Sequence, residues 1–208
     1  MAIDPVREDP EERAFDYHRT VALSDGVFAI ALTLLVLNIS FPELAPGHTG
    51  SLGSDLLDRK SEIGSYALSF AVIGMLWVRH HSFFRGIDRI DTTVVVLNLV
   101  YLGLVAFLPY PTRVLGRYGG EPAAVVLYAS NIALIGLCAG VMREHARRAG
   151  LLTTAGLRRM EGREHWGVVP ALFLLSIPLA FLDTTLATFT WLLILFIPRV
   201  ARRRASRS

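Results

Sequence analysis

The chain has 208 residues, 52% of them hydrophobic and only 19% charged, with a mean hydropathy of +0.45. So little charge does not solvate a compact surface of this size, which excludes an ordinary water-soluble enzyme. The 20 arginines and one lysine outnumber 18 acids, but they fall in short blocks between long apolar runs, so no continuous basic face remains to track phosphates and nucleic acid is excluded as a partner.

The apolar runs predict an all-α integral membrane protein, a single transmembrane domain over 1–208. The residues before the first run, Met1 to Arg19, carry several acids and do not read as a cleaved signal peptide. The first run, 20–39, is 20 residues or about 30 Å of helix, with Asp25 as its only charge. Pro46, Gly47, Gly50 and Gly53 then predict a loop, within which Leu52, Leu56 and Leu57 suit a short interfacial helix. The second run spans 63–81 and the third 92–111, where Pro109 and Pro111 are expected to close it. A fourth opens at Glu121-Pro122 and covers 122–142.

The segment 143–165 is too polar to span and reads as a cytoplasmic helical hairpin broken near Gly150. The last apolar stretch divides at Asp183 into 166–181 and 184–198, each near the short limit for a crossing, the alternative being one strongly tilted helix. The divided reading gives six transmembrane helices. With the N-terminus inside, 17 basic residues lie on the inner side, leaving only Arg59, Lys60, Arg113 and Arg117 outside. The expectation is a multi-pass protein of the cell membrane with both termini cytoplasmic. Cys138 is the single cysteine, so no intrachain disulfide or thiolate metal site is expected.

The chemistry concentrates in the first run. Arg19, Ser24 and Asp25 stand at the entrance of an apolar span, where ionisable groups cost free energy unless each finds a partner. Capping of a helix N-terminus explains Ser24 and Asp25, but not the polar face that continues to Thr33. Ile30, Leu34 and Leu37 recur at i, i+4 and i+7 on one helical face, and on periodicity alone ordinary core packing is the default reading of that stripe. The adjacent His80 and His81 point in different directions on a helix and have no carboxylate at i+3 or i+4, so no metal site is expected there. Ser24 and Asp25 are neighbours with no strained elbow around the serine, which argues against a hydrolase with His80. No catalytic residue and no cofactor is predicted.

The run Arg19-x-x-x-Leu23-Ser24-Asp25, followed by Gly-Val-Phe-Ala-Ile, resembles the R-x-x-x-F-S-D signature of the transmembrane protein 175 family of potassium channels, with Leu23 in place of the family's Phe. Trp77-Val-Arg-His80 with Phe84, Asp91-Thr-Thr, Leu97-Asn98-Leu99 and Phe107-Leu-Pro109-Tyr110 are similar to its second and third helices in order and spacing. The likeness runs from Arg19 to about Pro111. It implies a tetrameric cation channel of six helices per chain that lacks a T-V-G-Y-G filter, a sequence also absent here, and whose pore is lined by the first helix. Residue by residue it implies that Ile30 forms the constriction with Leu34 and Leu37 one and two turns on, that Thr33 supplies a hydroxyl to the ion path, and that Arg19, Ser24, Asp25, Trp77, His80 and Asn98 form a supporting cluster. The implied partners are three further copies of the chain, potassium ions and membrane lipid. Two other readings stay open. A proton-coupled secondary transporter would use Asp25 and His80 as a relay, although no pair of spans carries matching Gly/Pro interruptions. An accessory membrane protein is the reading that remains if the motif is accidental.

Overall fold

The computed structural model describes residues 10–40, 52–161 and 167–192, all of its regular elements being helical. Helix α1 covers Pro10–Leu34 and tightens into a 3-10 turn over Leu35–Asn38. A short α2 (Leu52–Asp58) leads into α3 (Lys60–Phe84), and then come α4 (Thr92–Phe107), α5 (Pro109–Tyr118) and α6 (Pro122–Arg148). The described residues finish with α7 (Thr154–Glu161), α8 (Val168–Ala180) and α9 (Thr184–Leu192). Among the described residues, four stretches are long and apolar enough to cross a bilayer: Asp16–Asn38, Lys60–Phe84, Thr92–Tyr118 and Pro122–Arg148. The protein is therefore a multi-pass membrane protein.

The third run does not stop where its prolines suggested. Pro109 sits at the first position of α5, where its missing N–H would have had no helical partner, and Leu108 keeps right-handed helical angles, so the chain continues to Tyr118. The Thr112 amide donates back to the Leu108 carbonyl at 3.1 Å, which carries the helix across the junction. Similarly, α6 runs past Met142 to Arg148 before the chain turns at Gly150, whose φ of +63° is the left-handed conformation a glycine adopts without strain. Residues 143–165 thus begin as the last turns of α6 and resume as α7, with 162–165 outside the described residues.

That turn docks beneath the α3–α4 connection. The Asp88 amide donates to Leu151 O at 2.8 Å and the Thr153 amide to Gly86 O at 2.9 Å. Gly156 makes the approach possible: a β-carbon there would collide with the Gly86 carbonyl oxygen. Asp91 caps α4 by accepting the Val94 amide at 2.8 Å and also accepts from His145 Nε2 at 2.7 Å, tying α4 to the end of α6.

Asp183 opens α9 by accepting the amides of Thr185 and Leu186 at 2.7 and 3.1 Å, so α8 and α9 form a tight hairpin. Trp191 Nε1 donates to Ser176 Oγ at 2.9 Å across it, and Tyr128, Phe173 and Trp191 stack where α6, α8 and α9 meet. The described parts of α8 and α9 are 13 and 9 residues long. The remainder of the expected sixth run, 193–198, and the Arg199 to Arg207 block lie outside the described residues.

The core lies between α1, α3, α4, α5, α6 and α8, with Ile73, Tyr101, Val105, Leu108, Val125 and Ile132 among its buried members. A smaller cluster of Phe83, Phe84, Ile87, Val94, Met142, Ala146 and Leu151 fills the end where α7 docks. Polar side chains also bridge helices in the interior: Ser69 Oγ stands 3.0 Å from Tyr128 Oη and 2.8 Å from Thr112 Oγ1, joining α3, α5 and α6. With no water in the hydrocarbon region to compete, such bonds act as glue between helices.

Candidate functional site

Helix α1 has two faces of opposite character. Ser24, Phe28, Ala31 and Leu35, at spacings of four, three and four, are buried against α3 and α4. On the other side Ile30, Leu34 and Leu37 are 60%, 42% and 69% exposed, and Thr33 between them is exposed as well. The stripe that periodicity would assign to a core thus faces out of the chain.

The buried face is held by a directed series of hydrogen bonds. Ser24 Oγ donates to the Thr20 carbonyl one turn back at 2.8 Å, and so its lone pairs receive the Asn98 amide nitrogen at 3.1 Å. With that nitrogen committed, Asn98 Oδ1 accepts from His80 Nε2 at 2.8 Å, which places the proton of a neutral imidazole on Nε2. Ser24, Asn98 and His80 are all buried. The His80 ring is boxed by Phe84, Tyr101 and Phe28 at centroid distances of 4.6, 5.3 and 5.5 Å, so its position is fixed by packing as well as by the bond.

The expected six-residue cluster therefore divides. Asp25 lies one residue on from Ser24 and turns outward, where its Oδ1 accepts from Trp77 Nε1 at 2.8 Å. Trp77 is 37% exposed and stacks on His81 at 5.5 Å, so this pair staples α1 to α3 on the surface of the chain. Arg19 stands on the same helix with its side chain exposed. Thr33 Oγ1 donates to the Ile30 carbonyl at 2.9 Å, which occupies its proton and leaves its lone pairs on the exposed side.

Sequence reasoning overlooked how the far end of α1 is held. Asn38 Nδ2 donates to Pro109 O at 2.8 Å, the Ser40 amide and hydroxyl donate to the Glu62 carboxylate at 2.7 and 3.1 Å, and Arg117 Nη2 donates to Ser40 Oγ at 3.1 Å. The signal lay in four isolated polar residues at the ends of different runs, and nothing in their spacing links them.

The profile of the family described as endosomal/lysosomal potassium channel TMEM175 matches residues 19–109. A potassium channel of Chamaesiphon minutus is 34% identical over 186 residues, 86% of this chain and 91% of that one. The chain belongs to the TMEM175 family. A potassium channel of Streptomyces collinus is 42% identical over 117 residues, covering 56% of each chain. The human endosomal/lysosomal proton channel TMEM175 is 31% identical over 131 residues, 57% of this chain but only 26% of that one. The chain thus spans about half of the Streptomyces relative and about a quarter of the human one. Among solved structures, the lysosomal potassium-selective channel TMEM175 homolog from Chamaesiphon minutus superposes with a TM-score of 0.77 at 29% identity, over 89% of this chain and 98% of that one. A variant of the potassium channel MtTMEM175, in complex with a nanobody fusion protein, superposes at 0.61 with 22% identity over the whole of both chains and bears on the fold alone. Membership of this family separates the chain from enzymes.

Proposed function

We propose that the chain is a potassium-permeable channel that assembles as a homotetramer, with α1 lining the pore. The observation that carries this reading is the two-faced α1: its buried side is bonded to α3 and α4, while Ile30, Leu34 and Leu37 stand outward with Thr33 among them. One chain has one such helix, so several copies are needed to enclose a path. Four Ile30 side chains meeting on an axis would form a hydrophobic constriction that closes by dewetting, with Leu34 and Leu37 extending it. The lone pairs of a ring of Thr33 hydroxyls would replace part of the hydration shell of potassium. Ser24, Asn98 and His80 would act as internal support and the Asp25–Trp77 pair as an outer staple. Six crossings, counting α8 and α9 as two short spans, with both termini cytoplasmic, fit the excess of arginine on one side of the membrane.

The relatives' names include both potassium and proton channels, so the test must separate the two ions. Purified protein in planar bilayers should give discrete current steps whose reversal potential follows an imposed potassium gradient and ignores a proton gradient. Reversal at the proton equilibrium potential would reject potassium permeation, and flux without discrete steps would favour a transporter.

A further inference from the structure

Helix α1 changes its winding just where its exposed stripe ends. Leu35–Asn38 form the 3-10 turn, and the Ile39 amide closes it by donating to Val36 O at 3.1 Å. Three residues of an α-helix turn the chain through about 300°, whereas three residues of a 3-10 turn complete the circle, so that i and i+3 eclipse. Two pairs of side chains are brought into line in this way. Asn38 stands over the buried Leu35, and Leu37 stands over the exposed Leu34. α-Helical winding would swing Asn38 and Leu37 about 60° out of those positions and shorten the segment by about 2 Å.

The four residues Leu-Val-Leu-Asn include neither proline nor glycine to force the change, and leucine is among the better α-helix formers. What sets the segment apart is a tethered end. Asn38, turned to the buried side by the winding, donates from Nδ2 to the carbonyl of Pro109 at the start of α5 at 2.8 Å. Two residues on, the Ser40 amide and hydroxyl reach the two carboxylate oxygens of Glu62 on α3, and Arg117 of α5 donates to the same hydroxyl. Partners on two helices thus fix both the height and the direction in which the chain leaves α1.

We infer that Asn38 and Glu62 are positioning residues for the ion path: by holding the 3-10 winding they keep Leu37 stacked over Leu34, and so decide whether Leu37 narrows the path. This rests on the reading of α1 as the pore-lining helix. Release of the tether lets the segment return to α-helical winding, Leu37 leaves the column above Leu34, and the apolar stretch that closes by dewetting loses its last ring. Asn38 and Glu62 act through Leu37 rather than on the ion.

The test is single-channel recording of the full chain in planar bilayers under a potassium gradient. Asn38→Leu and Glu62→Leu should each raise the basal open probability about three- to tenfold, the shift that one interhelical bond makes in a two-position equilibrium. Glu62→Gln keeps an oxygen for the Ser40 amide and should stay close to the wild type. Leu37→Ala should raise opening in the wild-type background but add little to Glu62→Leu, where Leu37 has already left the path, whereas two unconnected lesions would add. Asn38→Leu carries the same comparison if Glu62→Leu does not assemble. Hydrogen exchange over 35–40 reads the tether without current, and should be faster in Glu62→Leu. A wild type without potassium steps would bring down the channel reading and this inference together. With a conducting wild type, unchanged opening in both leucine variants, a Glu62→Gln as active as Glu62→Leu, additive effects with Leu37→Ala, or unchanged exchange would overturn the inference alone.

Discussion

Asn98 Nδ2 reaches Ser24 Oγ at 3.1 Å across 74 residues of sequence and thereby fixes which face of α1 turns inward. Since the same side chain accepts from His80, one amide joins α1, α3 and α4. Asn98→Leu removes both bonds and leaves the Ser24 lone pairs and the His80 N–H without their partner. Interhelical bonds of this kind are worth about 0.6–1.7 kcal/mol, and stranding buried groups adds to the loss. The melting temperature in detergent should drop by several degrees, and a melt within error of the wild type would show that apolar packing alone orients α1.

Ile30→Asn should hydrate the proposed constriction and raise basal current, because a polar side chain removes the penalty for wetting a narrow apolar ring. Patch recordings at matched surface expression read this directly. Unchanged current would remove Ile30 from the ion path.

Asp25 holds Trp77 at the surface of the chain, and Asp25→Leu should lower thermal stability by removing the acceptor. Asp25→Asn keeps an oxygen for Trp77 Nε1 and should recover much of that loss. Both variants should leave the preference for potassium over sodium as it is in the wild type. A shift in reversal potential under bi-ionic conditions would instead assign Asp25 to permeation.

Gly156→Ala places a methyl group against the Gly86 carbonyl, which the close approach of the two backbones does not allow. Overpacking of this kind costs about 1–3 kcal/mol. The turn around Gly150 should then loosen from the α3–α4 connection and become cleavable by protease under conditions in which the wild type is intact.

Burial pushes the Asp91 carboxyl upward, but the bonds from His145 and the Val94 amide outweigh it and hold the group below its ordinary value. A lowered folded-state pKa contributes stability that is complete above the unfolded value, near 4, and is lost as the pH falls through the folded one. Acid melts below about pH 4 should therefore lose stability faster in the wild type than in Asp91→Asn. Parallel curves would mean that the cap and the His145 bond contribute no acid sensitivity.

Much of this arrangement was legible because membrane insertion writes itself into composition. A run of twenty mostly apolar residues has few alternatives to a helix in a bilayer, and the Ser24-Asp25 pair stands out within Thr20 to Ile39. The direction of the Ile30, Leu34, Leu37 stripe was not legible, since periodicity defines a face but not what it meets. The continuation through Pro109 was missed because a proline that ends one helix and one that begins the next look alike in sequence, and only the angles at Leu108 decide. Ser69, Thr112 and Tyr128 are single polar residues in three separate helices, and no local pattern announces that they meet.

The bonds at the two ends of α1 limit how this helix can move. Towards its start it is fastened through Tyr17, whose hydroxyl donates to Phe84 O at 3.0 Å, midway through Ser24 and Asp25, and at its finish through Asn38 and Ser40. A rod pinned at both ends cannot swing out like a gatepost without breaking one set of fastenings. The motions that break nothing are side-chain rotation along its free flank and flexure within Leu35–Asn38, where the 3-10 winding makes the backbone ladder weakest. Any widening around α1 is thus a short-throw movement, and its amplitude is set by single side chains rather than by the travel of a whole helix.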